Sequence, residues 1–545
     1  MYKLLLLFTV ALMLAGGAYR TALGQSESSA IEQIQNENNL PISEPMIAVN
    51  PANANNFITS YSNWVNNGPT RLPGVSYTTD GGASWSTTDV PTNDANFLDR
   101  ADPSIALDAN GNAFYCWLTL QYPSLEDSSA VRVSESTDQG KDWSGSPFTV
   151  DRNSGSTQLD KPWVVCDQST SQYRNSIYVV YVVIDNFGSP NNATYTIYFS
   201  LMRSGQTSFS TPVAISQPVG GLTDVEAPYP VIGNDGSVYV FWAQEDNSNA
   251  TDQIMMNKST NGGQSWSSTP QVLFSSLAMD DGRMLQNTTN STSFAKAHTW
   301  PSVAVNPTDG SLNLVYGSGG SVYYTVSKDG GSTCSTPSAN GLGASYPAQA
   351  WSPTIACNPS GQIAVAYYFA GAGADQGSSS QDQTDVYVAT SPAGGGSFTV
   401  HSAGSVSFNP LQSPYGDYIG VAYNDNTYWA VWPQASGTNT NLYGRYRTVS
   451  AIAENMDANH NVLQGTTISF GPPGNETSQS SPYTTPYILA NDPEALTAGS
   501  QQTVSGEVYD FYHWEDENGN VIGTSEDLNI NIGVIAALHT SCHAV

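Results

Sequence analysis

The sequence predicts an all-β protein: a seven-bladed β-propeller, with six blades as the alternative count, followed by a small β-sandwich-like domain. Three observations carry this. Gly, Ser, Thr, Asn and Tyr abound while charged residues are only 11%, and no long stretch has helical apolar spacing, which is the composition of many short strands joined by turns. A Pro–strand–turn–strand pattern recurs seven times at spacings of 52 to 73 residues, enough for four short strands and their loops. Six of the copies run on through a third strand into a Gly-rich turn.

The copies begin at Pro45, Pro103, Pro162, Pro228, Pro301 and Pro353, and the seventh has Tyr418 in place of the Pro. In each, an apolar strand leads through Gly, Asn or Asp to a second apolar strand ending in an aromatic, as in PSIALDANGNAFYCW and PYPVIGNDGSVYVFW. One such sheet cannot bury both faces alone. A closed ring of them does, and closure protects the sheet edges.

The Gly-rich turns are clear at Asp80, Gly82 and Trp85 and at Asp138, Gly140 and Trp143. A third has Asn for Asp, at Asn261, Gly263 and Trp266, and a fourth, at Asp329 and Gly331, ends in Cys334 where the others have Trp. Two more, around 204–209 and 391–398, are eroded, and the seventh repeat has none. The Asp or Asn accepts backbone N–H bonds, Gly takes angles closed to other residues, and the Trp packs on apolar surface, so these residues are structural rather than catalytic. The turns resemble those of the Asp-box (BNR-repeat) propeller superfamily, whose best-known enzymes are the sialidases, and the likeness covers about residues 40–450.

Residues 1–24 read as a signal peptide: Lys3 supplies the charge, Leu4 to Ala15 the apolar core, and small residues lead to a cut after Gly24. No later segment is apolar for the roughly 20 residues a membrane helix needs. The mature chain is therefore expected outside the cytoplasm, secreted or at the cell surface. A formal net charge of −30 without a basic stripe excludes nucleic acid as a partner and disfavours polyanionic glycans. Export permits disulfides, and Cys116–Cys166 and Cys334–Cys357, each pair in neighbouring repeats, are candidate bridges, with buried free thiols as the alternative and Cys542 left over. Asn192, Asn249, Asn257, Asn287, Asn290 and Asn475 stand in glycosylation sequons.

After residue 450 the blade pattern stops. Residues 451–545 resemble the small β-sandwich repeats of bacterial and archaeal surface proteins through Phe511, Trp514, Asp516 and Gly519, with Trp514 expected in a core.

Propeller ligands usually bind at the axial mouth, where the inner strands begin. The repeat alignment puts the residues ahead of each recurrent Pro there: Glu44, Asp102, Asp160 with Lys161, Asp224 with Glu226, His298 with Trp300, Trp351, and Asp417 with Tyr418. Aromatic faces and carboxylates together suit a sugar. Asp102, Glu226 and Asp417 are the candidates for the acid and base of a glycosidase, and Glu44, Lys161, His298, Trp300, Trp351 and Tyr418 for substrate contacts. No cofactor is required, although clustered oxygens would also suit Ca²⁺. The plain alternative is that these residues cap strand starts and bond between blades.

Resemblance to sialidases implies three arginines on the substrate carboxylate, the first from an R-I-P motif opening the first blade, where this chain has Ser43-Glu44-Pro45. Arg132, Arg203, Arg445 and Arg447 fall on third strands away from the axis and Arg71 beside the first of these, leaving Arg100 and Arg283 for the mouth. The family's Tyr nucleophile has Tyr415 or Tyr418 as counterparts, in surroundings that do not match its motif. The expected function is thus a module binding a glycan or an extracellular protein without the arginine clamp. The alternatives are a glycoside hydrolase, exo-sialidase-like or acting on neutral sugars, and a structural envelope component.

Overall fold

The computed structural model describes residues 41–446 except 66–69, 91–98, 121–127, 144, 190, 247–250, 280–284, 287–293, 296–297, 340–341, 343–348, 371–383, 393, 397, 404–415, 425–427 and 437–438, together with strand backbones outside that span. It forms two units. The larger, residues 31–424 and 429–445, is a seven-bladed β-propeller with no helix among its described residues.

Each blade is an antiparallel meander, taken from the axis outward. The first runs Ile42–Asn50, Asn53–Val65, Thr70–Thr78 and Ser86–Asp89. The inner strands of the next four blades are Asp99–Leu107, Gln158–Cys166, Thr223–Ile232 and Ser302–Val305. Those of the sixth and seventh are Gln349–Cys357 and Gly420–Tyr423. Neighbouring inner strands pack in sequence order, and the seventh returns to the first. The outermost strand of the seventh blade is Glu32–Ile34, which pairs with Asn439–Tyr446 through Ile34↔Leu442. The N-terminal side of the unit thus completes its last blade, and Ile34 is wholly buried.

The core lies between blades. Val179, Tyr181 and Val183 of the third blade pack on Phe114, Cys116 and Leu118 of the second. From the same strand, Tyr178, Val180 and Val182 point the other way, onto Val238, Val240 and Trp242 of the fourth. This is why IYVVYVVI is apolar on both faces. The first and seventh blades meet in the same manner, through Phe57, Trp429 and Val431.

The Gly-rich turns tie successive blades together. Asp80 accepts from the Ser84 backbone N–H at 3.0 Å, Asp138 from Asp142 at 2.9 Å, Asn261 from Ser265 at 2.9 Å and Asp329 from Thr333 at 2.8 Å. The last glycine of each turn has φ between 86° and 93° and lies against the preceding blade: Gly82 on Trp429, Gly140 on Ile58, Gly263 on Phe199 and Gly331 on Met256. Trp143 is buried, and its indole N–H donates to the Gly140 carbonyl. Trp85 and Trp266 meet Trp429 and Phe199 edge-on.

Two expectations change. Cys116, Cys166, Cys334 and Cys357 are free thiols. Cys116 and Cys166 are instead part of the apolar packing between the second and third blades. Asn257 is buried, its amide donating to the carbonyls of Ile215 and Ser267, so this sequon is closed to a glycan in the folded protein.

The second unit comprises residues 1–30, 425–428 and 446–545. One of its sheets contains Ala451–Met456, Glu507–Asp516 and Ala537–Ala544, and takes in Leu5–Leu12 from the expected leader. Another contains Thr467–Gly471, Pro493–Ala498 and Asp527–Asn531. The side chains of Phe511, Trp514, Asp516 and Cys542, and all of Gly519, lie outside the described residues.

A Cβ at residue 263 would meet the Phe199 ring at 2.4 Å with φ at +86°. Gly263→Ala should therefore lower stability by about 1–3 kcal/mol, read as a shift of the urea midpoint. Gly396→Ala, with nothing within 4 Å and no positive φ, should leave the midpoint in place.

Candidate functional site

The inner strands enter the mouth through a repeated backbone device. Glu44, Asp102, Lys161, Ala227 and Ser352, each directly before a recurrent Pro, have φ of 57°, 51°, 47°, 48° and 48°. In all five blades the pairing to the second strand shifts register across that residue and its Pro. Pro has no N–H for the ladder, so the chain bulges there. A left-handed residue before a Pro is doubly disfavoured and costs about 1–3 kcal/mol. The bulge turns consecutive side chains differently from a flat strand.

A cavity of about 50 Å³ sits on the axis. Six of the expected mouth residues line it: Asp102, Lys161, His298, Trp300, Asp417 and Tyr418. Lys161 reaches across from the third blade, its Nζ bonding Asp417 Oδ2 and lying 3.8 Å from Asp102 Oδ2. His298 Nε2 is 3.0 Å from Asp417 Oδ1. The imidazole stacks on Trp300 with ring centres 3.9 Å apart, and the Lys161 ammonium is 5.3 Å from the centre of the Trp300 ring. Trp300 donates its indole N–H to Glu245 at 2.6 Å, and the Tyr418 hydroxyl donates to the Pro103 carbonyl at 2.8 Å.

The other candidates stand apart from the cavity wall. Trp351 is buried, and its neighbour Ser352 lines the cavity in its place. Glu44 is buried between the first two blades, near Ser62 and Arg71. Glu226 and Asp160 sit one residue ahead of the bulging positions, beside Lys161. Asp224 also contributes to the field around Glu226. The sequence pattern missed the residues just after the prolines. Trp163 and Tyr229 form an aromatic floor, 4.9 Å between ring centres, with Tyr418 at 5.3 Å from Trp163. The signal was present in PWVV and PYPV, where an aromatic follows the Pro.

The cavity opens where the repeat loses bulk. The first three blades bring Glu44, Asp102 and Lys161 to the bulge, whereas the fourth and sixth bring Ala227 and Ser352.

No arginine lines the cavity among the described residues. Arg71 reaches inward, but its guanidinium is bidentate on Asp99 at 3.0 and 2.8 Å. Arg100 is buried in the second blade's inner strand, Arg203 binds the Gly262 carbonyl, and Arg283 and Tyr415 lie outside the described residues. Among the described residues no group of three or more His, Cys, Asp or Glu is arranged to hold a metal ion. An ammonium, that of Lys161, sits among the carboxylates.

The carboxyls divide into two classes. Burial opposes ionisation of Asp417, yet Lys161 and His298 hold it well below the usual range. Burial and the Asp102 carboxylate push Glu44 up to about 8, against Arg71. Burial raises Asp160 to about 7, Lys161 pulling the other way and Asp102 adding to the rise. Burial and Asp160 raise Glu226 well above its ordinary value. Burial disfavours the Lys161 charge, but Asp102 and Asp417 outweigh it and raise its pKa.

No family model matches the chain, and no curated protein matches it. Among solved structures it is similar to a Hadza microbial sialidase, at 12% identity over 81% of this chain and 89% of that one, with a TM-score of 0.42. It is similar to a Fusarium graminearum α-L-arabinofuranosidase in complex with an iminosugar inhibitor, at 14% identity, 66% and 95% coverage and a TM-score of 0.40. A Dyadobacter fermentans protein of unknown function shares 11% identity over 63% and 94%, with a TM-score of 0.41.

The raised carboxyls set a pH dependence. Glu44 and Asp160 hold protons in the folded protein that the unfolded chain has released, so their contribution is full below the ordinary carboxylate values of 4.5 and 3.8 and is lost as pH rises through about 7 to 8. Thermal stability should therefore increase as pH falls from about 8 towards 5. Glu44→Gln, which keeps the shape without the ionisation, should flatten that profile.

Proposed function

We propose that the propeller is a glycan-binding module that works outside the cytoplasm and seats part of a saccharide at its axial mouth without cleaving it. The observation that supports this reading best is the break in the repeat at Ala227 and Ser352, which leaves space over an aromatic floor beside Lys161, His298 and Asp417. Apolar ring faces accept the C–H side of a sugar, and the polar rim orients its hydroxyls. The apolar stretch Leu4–Ala15 supports export.

Binding is favoured over hydrolysis because the groups that would do chemistry are engaged. Asp417 is ion-paired to Lys161 and bonded by His298, and both hold it as a weak base. The Tyr418 hydroxyl is bonded to a backbone carbonyl. One observation favours the hydrolytic alternative: an ionised Asp417 and a protonated Glu226 have the opposite states that an acid–base pair needs.

The test is a glycan panel run with the full chain, scoring both retention and released sugar. The expected result is retention without release. Ala227→Phe should abolish retention by filling the cavity while leaving the circular dichroism spectrum unchanged. Release of sugar that disappears in Asp417→Asn would establish the hydrolase instead. Failure to retain any glycan would remove the saccharide reading.

A further inference from the structure

We infer that Asp160 and Asp102 share one proton beside the axial cavity and that this proton gates the mouth, which holds a saccharide while the pair keeps it and releases the saccharide when the pair loses it. The gate rests on the saccharide reading above; the shared proton does not.

The bulges set up the pair. Asp102 is itself the bulging residue of the second blade, and Asp160 directly precedes that of the third, Lys161. Their carboxyls, on neighbouring inner strands, are hydrogen-bonded to each other. Two carboxylates cannot make such a bond, because neither has a donor, whereas a carboxyl and a carboxylate can. Asp102 lines the cavity and accepts, while Asp160 stands behind it and donates. Asp160 Oδ1 also accepts the Lys161 backbone N–H at 2.9 Å, which fixes the carboxyl beside its partner.

The surrounding charges leave this proton in control. Lys161 and Tyr195 face the pair from the third blade, Glu226 from the fourth, Asp417 and Tyr418 from the seventh, and Glu44 with Arg71 from the first. Glu44 Oε2 accepts the Asp102 backbone N–H at 3.3 Å. Burial keeps a proton on Glu226 and, below about 8, on Glu44. Arg71 is committed to Asp99. Near neutral pH one ammonium, that of Lys161, thus stands between two carboxylates, bonded to Asp417 and 3.8 Å from Asp102. The shared proton keeps Asp160 from becoming a third.

Loss of the proton turns a hydrogen bond into two like charges side by side. Lys161 has three donors and gives one to Asp417, so the new charge draws the others towards the pair. One carboxylate remains without a counter-charge and must keep water, which a sugar seated on the aromatic floor expels. Affinity therefore falls as the proton leaves, and by reciprocity binding of the sugar draws a proton in. Burial and Asp102 raise Asp160 to about 7, against Lys161, so the change falls between about pH 6 and 8.

Trp300 reports the pair without any ligand, because the Lys161 ammonium lies 5.3 Å from the centre of its ring. The difference in fluorescence between the full chain and its Trp300→Phe variant should titrate with an inflection near pH 7. Asp160→Asn, whose amide still donates to Asp102 but cannot ionise, should remove the inflection. His298→Gln should keep it, which separates the pair from the imidazole stacked on the same ring. An inflection that survives Asp160→Asn, or that is lost in His298→Gln, would overturn the shared proton. For a glycan retained in the panel, affinity should fall about tenfold from about pH 6 to about pH 8, the factor by which the protonated pair is depleted, and should stay level in Asp160→Asn. Retention that ignores pH would overturn the gate and leave the saccharide reading standing. Retention of no glycan at any pH would overturn the gate together with that reading, while the fluorescence titration still decides the pair.

Discussion

A sheet with apolar residues on both faces can shed them from water only against other sheets of the same kind. That constraint organises this protein. The third blade's second strand divides its side chains between the second blade and the fourth, so neither core exists without both neighbours. The chain must therefore close, and it does so with Phe57 against Trp429 and with Ile34 as the last blade's outer strand. The Gly-rich turns act in the same direction. Their φ near 90° lets the backbone lie directly on a side chain of the preceding blade, an approach that any Cβ would prevent.

Closure has an electrostatic consequence at the centre. Inner strands converge, and whatever charge they carry is crowded and desolvated together. Five carboxyls, Glu44, Asp102, Asp160, Glu226 and Asp417, meet one ammonium from Lys161. The outcome is uneven because the ammonium cannot touch them all. Asp417, which it bonds, stays ionised, while Glu44, Asp160 and Glu226, held more by burial and by one another, take up protons. The strained conformation that Asp102 and Lys161 adopt ahead of their prolines is what brings them to this point.

Period and turn chemistry made the propeller legible, because a ring of like units repeats its local rules. The mouth was legible one position at a time. Asp102, Lys161, His298, Trp300, Asp417 and Tyr418 line the cavity, as the alignment to the prolines expected. Trp351 does not, since the bulge turns Ser352 inward and leaves the preceding indole in the core. Trp163 and Tyr229 were not legible from an alignment on the residue before the Pro, because the residue after it is the one that resumes the strand at the cavity. Cysteine pairing was not legible at all: neighbouring repeats bring two thiols into one core without requiring a bond between them.

The site exists because the repeat is imperfect. Seven identical blades would bring seven identical side chains to the axis, and like charges there would repel or like bulk would fill the bore. Here the first three blades supply carboxylates and an ammonium, while the fourth and sixth supply a methyl and a hydroxymethyl. The charged side leans across the hole, Lys161 to Asp417, and the space left over belongs to the small side. On the glycan-binding proposal, an open pocket beside an internal ion pair serves recognition rather than turnover. The ion pair supplies a fixed field without reorganising, but it also holds Asp417 in the one protonation state that a proton-transfer step would have to change.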